Sequence, residues 1–178
     1  MARLSMSAKK WMVLLHILFA SIMLGSTVVV LILSITALNT KSREVLQSCY
    51  TVMHLLSRTS MRASTIGTTL TGIVLSVTTH WGLFRYYWII LKEALTVLAI
   101  GTGVVGFYFW TLNGVTVVSA EGLGAVHHTD FMVNEVRLWV GIVLQLLSLA
   151  VMFAVSVFKP WGKRNDDIHS PGAPQKRK

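Results

Sequence analysis

The residues best able to do chemistry are His16, His54, His80, His127 and His128, together with Arg58, Arg62, Lys92 and Glu93. His16 falls inside a long apolar run. A neutral imidazole there is a good ligand for haem iron or another metal, and otherwise has to bond a neighbouring group. His54, Arg58 and Arg62 are spaced by four, so on a helix they stack along one face. An imidazole beside guanidinium groups suits a haem, the first holding iron and the second pairing with a propionate. The plainer alternative is a solvated helical extension. His127 and His128, followed by Asp130 and Glu135, form a pattern that could take a divalent metal or simply line a solvated loop. At one end of a bundle, His54, His127 and His128 could converge on haem iron or a divalent ion. Lys92 and Glu93 are adjacent and so point apart on a helix. Lys92 can snorkel to the headgroups, and an inward Glu93 could carry protons or contact a quinone. His80 borders Trp81 and is expected to meet water, and Cys49 alone suggests nothing specific.

Composition names the solvent in which these groups must be positioned. Of 178 residues, 53% are apolar and 13% charged, with a mean hydropathy of +0.63. A soluble domain carries about a quarter charged residues, so a water-soluble enzyme with one core is excluded. The single cysteine leaves no internal disulfide framework and no multi-cysteine metal site. An all-α polytopic membrane protein remains, a bundle of four transmembrane helices within residues 1–162. A span needs about 20 apolar residues. The spans are expected at 11–38, 58–80, 86–112 and 136–158, with a helical extension at 43–57, an external loop at 113–134 and a disordered basic tail at 163–178.

The excess of 16 basic over 7 acidic residues reads as topology rather than as a nucleic-acid footprint. Arg3, Lys9 and Lys10 precede the first span, Arg85 lies between the second and third, and the tail is rich in Lys and Arg. Loop 113–134 has neither. Both termini are therefore expected in the cytoplasm, although Lys41, Arg43 and Arg58 near the first loop dissent. Trp11, Trp81, Trp88 and Trp161 mark the inner boundary, and Trp110 and Trp139 the outer one. Ser64, Thr68, Gly72 and Ser76 make a small-residue ridge on the second span, and Ser21 and Gly25 repeat the spacing on the first. Such ridges let a helix or a flat ligand approach closely.

The segment WMVLLHILFASIMLG, with its histidine and a glycine nine residues on, resembles the opening helix of CopD-like small membrane proteins. THWGLFRYYWIILK and KPWGK resemble segments of an uncharacterised bacterial family of four-helix integral membrane proteins of similar size. The resemblance implies a multi-pass protein of the bacterial cytoplasmic membrane. It places this chain near copper-resistance proteins and haem-bearing four-helix proteins, with His16 matching their first-span histidine. The eight methionines are dispersed and read as packing or lipid-facing residues.

The expected activity is electron transfer between a quinol and an acceptor by a membrane protein carrying haem b. His54 with His127 or His128 would ligate an outer haem, Arg58 or Arg62 would hold its propionates, and His16 would serve an inner one. A second reading is an oligomeric metal- or ion-transport protein whose His16, Lys92, Glu93 and Arg62 line a polar path. A third is a non-catalytic accessory subunit, with its polar residues docked into a larger membrane complex.

Overall fold

A computed structural model describes residues 5–78 and 86–160. His80, Trp81, Arg85, Trp161 and the basic tail lie outside the described residues. The described residues form four helical rods. The first is α1 (Met6–Asn39); the second joins α2 (Arg43–Leu56) to α3 (Arg62–Thr78) through a π-helical turn, Ser57–Met61. The third joins α4 (Tyr87–Ile100) to α5 (Phe107–Glu121) through a second π turn, Gly101–Gly106, and the fourth is α6 (Thr129–Phe158).

Local chemistry sets the ends of the rods. Ser5 and Ser42 accept bonds from the amides of Ala8 and Val45, capping α1 and α2. Glu44 sits in the first turn of α2, where the helix dipole favours a carboxylate. Gly122, at φ +61°, ends α5 in a conformation only glycine adopts at little cost. The Arg43 guanidinium packs on this glycine and donates to the Ser119 carbonyl at 3.2 Å, tying the start of α2 to the end of α5. The segment expected as an external loop is therefore mostly helix: α5 runs to Glu121, a 3-10 turn spans Gly122–His127, and α6 begins at Thr129.

The packing is inverted relative to a protein in water. Thr27, Ser34, Thr111 and Gln145 are fully buried, while Leu14, Ile32, Val97 and Val157 are 53%, 55%, 71% and 74% exposed. Polar groups inside and large apolar groups outside suit a hydrocarbon solvent, where hydroxyls and amides must find partners within the protein. Three rods are long and apolar enough to cross a membrane: Met6–Asn39, Tyr87–His127 and Thr129–Phe158. The second rod is not among them. Its α3 half carries hydroxyls throughout, and most of them bond the carbonyl a turn earlier, as Thr65, Thr69 and Thr71 do.

The small-residue ridge is partly used. Gly72 abuts the His16 ring, and Gly67, one residue off the ridge, abuts Phe19: a Cβ at 67 would lie 2.7 Å from the Phe19 ring. Ser21 and Gly25 instead face outward. The buried stripe of α1 is Met23, Thr27, Val30, Ser34 and Ala37, whose alternating steps of four and three follow a coiled-coil seam. Trp88, expected at the headgroup level, is buried with Ile89 and Val155.

Candidate functional site: two threonine-held histidines

His16 and His54 sit at different levels of the bundle in the same local arrangement. His16 Nδ1 lies 2.9 Å from Thr71 Oγ1, and His54 Nδ1 lies 3.1 Å from Thr111 Oγ1. Each threonine spends its only proton on its own helix: Thr71 donates to the Gly67 carbonyl at 2.6 Å, and Thr111 to the Phe107 carbonyl at 2.6 Å. A hydroxyl so committed can only accept, so in each pair Nδ1 carries the proton. Nε2 is left with the lone pair. Neither threonine was singled out from the sequence; the signal available was a helix residue able to back-bond to the carbonyl at i−4.

A cation stands beside each imidazole. The charge of Lys92 acts on His16. At the other level Arg58 follows His54 by four residues, about one helical turn. Arg62 lies over the Tyr108 ring, 4.9 Å from its centroid, and His54 packs on the same ring at 5.3 Å. The π turn at Ser57–Met61 lies between these residues and changes their register. As a result His54 and Arg62 share Tyr108, while Arg58 is exposed.

Lys92, which could snorkel to the headgroups, is tied to the last span. Its ammonium donates to Ser156 Oγ at 2.9 Å, and Ser156 passes its own proton to the Met152 carbonyl. Glu93 is half-buried with Oε1 unpartnered. Lys92 and Arg62 thus engage separate partners on different helices.

His127 and His128 do not join His54. Both are exposed, and His128 pairs with Glu121 at 2.7 Å. The 3-10 turn that replaces the expected loop keeps them at the rim. Among the described residues no group of three or more His, Cys, Asp or Glu side chains is placed to hold a metal ion. Glu135 does not face the loop either. It is buried and accepts a very short hydrogen bond from the Tyr50 hydroxyl, with its other oxygen unpartnered. Tyr50 precedes His54 by one helical turn and packs edge-on against Phe131. The sequence offered no signal for this pair, whose members are 85 residues apart.

Comparison with protein-family models, curated proteins and solved structures finds no match.

Midway between the histidine levels lies a further polar layer. Thr102 donates to Gln145 Oε1, and Gln145 Nε2 is buried without a partner. The amide stands against Gly103, where an added Cβ would meet it at 3.6 Å and Thr65 Oγ1 at 3.4 Å. Gly103 belongs to the second π turn, so the bond pattern of the rod is loosened where the polar groups meet.

Proposed function

We propose that this chain is a four-span protein of the bacterial cytoplasmic membrane, with both termini cytoplasmic, that binds haem b through His16 and His54 and passes electrons from a quinol to an acceptor. The fourth span is the α2–π–α3 rod, most of whose α3 hydroxyls bond a carbonyl of their own rod. The orientation rests on the Lys and Arg of the termini and on their absence from loop 113–134.

One observation carries the haem assignment: each histidine has Nδ1–H fixed by an acceptor-only threonine, which presents Nε2 as a lone-pair ligand. A second-shell bond of this kind orients ligating histidines and raises their basicity. The neighbouring cations decide what kind of metal suits the lone pair. A bare dication beside Lys92 or Arg58 would meet like charge in a medium of low dielectric. Iron carried in a macrocycle with carboxylates meets opposite charge instead, with Lys92 at one level and Arg58 or Arg62 at the other. The unpartnered Arg62 Nε and the close seat of the His16 ring on Gly72 also fit such a group. Haem, when bound, supplies a one-electron centre tuned by its axial ligand and surroundings.

His127 and His128 stand at the rim, so each level offers one histidine rather than two. A haem at either level would therefore be held by one histidine of this chain, and would supply a one-electron centre there. The apolar outer face of the bundle gives a lipid-soluble quinol direct access.

Purified from haem-replete cells, the His16→Ala and His54→Ala variants are each expected to retain about half of the wild-type haem, and the double variant none. Pyridine haemochrome absorbance per chain measures this. Unchanged haem content in both single variants would remove the assignment.

A further inference from the structure

Among the described residues, Arg137 is a charge with no counter-charge, on a helix long and apolar enough to cross a membrane. It lies two turns into α6, is exposed, and makes no hydrogen bond or ion pair among the described residues. It stands 21 residues from Phe158 at the other end of α6, about 31 Å on helix geometry. A hydrocarbon core is about 30 Å thick, so with Phe158 at one interface Arg137 stands at the other, among phospholipid headgroups.

Arg137 lines a groove between α5 and α6 with Phe109, Trp110, Asn113, Thr116 and Asn134. The Asn134 amide donates to the Trp110 carbonyl at 2.9 Å and fixes the wall between the two helices. Trp110 is wedged against Gly106 and Gly141 and cannot swing inward. The Thr116 hydroxyl is committed to the Leu112 carbonyl at 2.9 Å. The uncommitted donors on the groove include the Arg137 guanidinium and the exposed Asn113 amide. One turn nearer the bundle centre the groove becomes apolar with Phe109, which is 60% exposed. No acidic side chain lines it. Glu135 is turned inward to Tyr50, and Glu121 is taken by His128.

We propose that this groove is a binding site for an anionic phospholipid. The phosphate sits on Arg137 and Asn113, and an acyl chain runs over Phe109 towards the bundle centre. A guanidinium beside a neutral amide donor matches a phosphate diester. The passage from polar to apolar along the groove matches the order of headgroup and chain. The site is independent of the haem reading and stands or falls without it.

Thermal unfolding of the full chain in a mild maltoside detergent tests the site, with phosphatidylglycerol, phosphatidylcholine or inorganic phosphate added at equal concentration. Phosphatidylglycerol is expected to raise the midpoint by several degrees, and the other two to leave it in place. Arg137→Gln should remove the rise, and Arg137→Lys should keep part of it. A rise with inorganic phosphate would replace the lipid site by a free oxyanion site. An equal rise with phosphatidylcholine, or a full rise in Arg137→Gln, would overturn the proposal. Should Arg137→Gln fail to fold, Asn113→Ala gives the same reading, with at least a five-fold weaker response to phosphatidylglycerol expected and an unchanged response contrary to the site.

Discussion

Gly114→Ala is expected to destabilise the folded bundle by about 3 kcal/mol, the sum of a steric clash and a lost buried hydrogen bond. The Cβ at this position would overlap the Cδ1–Cε1 edge of the Tyr50 ring. Tyr50 is 1% exposed and has no free direction in which to move. Displacing it breaks the bond to Glu135, whose second oxygen already lacks a partner. Overpacking costs about 1–3 kcal/mol, and leaving a buried polar group unmet costs roughly as much again. Against this, alanine gains about 1 kcal/mol of helix propensity over glycine. The clash and the orphaned carboxyl outweigh that gain. Denaturant unfolding in detergent, followed by tryptophan fluorescence, measures the difference. Gly25→Ala is the control, because nothing lies within 4 Å of its Cβ position, and it should be neutral or slightly stabilising. Equal stability of Gly114→Ala and wild type would show that the Tyr50–Glu135 contact does not hold the outer end of the bundle together.

Thr71→Val and Thr111→Val are each expected to weaken haem binding at the neighbouring histidine by about 10–100-fold, the usual cost of losing a partner that orients a ligand. Valine keeps the shape of threonine and removes the acceptor, so Nδ1–H is left unmet and the tautomer is no longer fixed. The fold should survive, because only one back-bond to the helix is lost in each case. Haem titration of apoprotein in detergent reads the affinity. Thr36→Val is the control: its hydroxyl bonds the Ile32 carbonyl at 2.9 Å in the same way but serves no histidine. A loss of affinity in the control equal to that in Thr111→Val would assign the effect to the helix rather than to the imidazole.

The helical architecture was legible because apolar runs and flanking charges report directly on a lipid solvent. The two histidines in the second and first rods were legible as polar groups out of place. Their partners were not, because a threonine in a hydroxyl-rich helix looks the same whether or not it faces an imidazole. The expected union of His54 with His127 and His128 failed for a local reason. Helix α5 continues to Glu121 and a 3-10 turn follows, which leaves His127 and His128 exposed at its end. Glu135 read as a loop ligand because the fourth span was drawn from 136, whereas α6 starts at Thr129 and turns Glu135 inward. The π turns left no mark in composition. Their effect is visible only in space, where Arg58 leaves the face that His54 and Arg62 share around Tyr108.

The central claim is that His16 and His54 each present a lone pair to haem iron at a site with one protein ligand. Its most direct test is the absorption spectrum of the dithionite-reduced protein, recorded before and after carbon monoxide. The account predicts a Soret band that shifts fully on carbon monoxide, because each level offers one histidine and a haem there would have one protein ligand. A colourless protein from haem-replete cells would contradict it outright. A low-spin spectrum indifferent to carbon monoxide would contradict the single-ligand geometry.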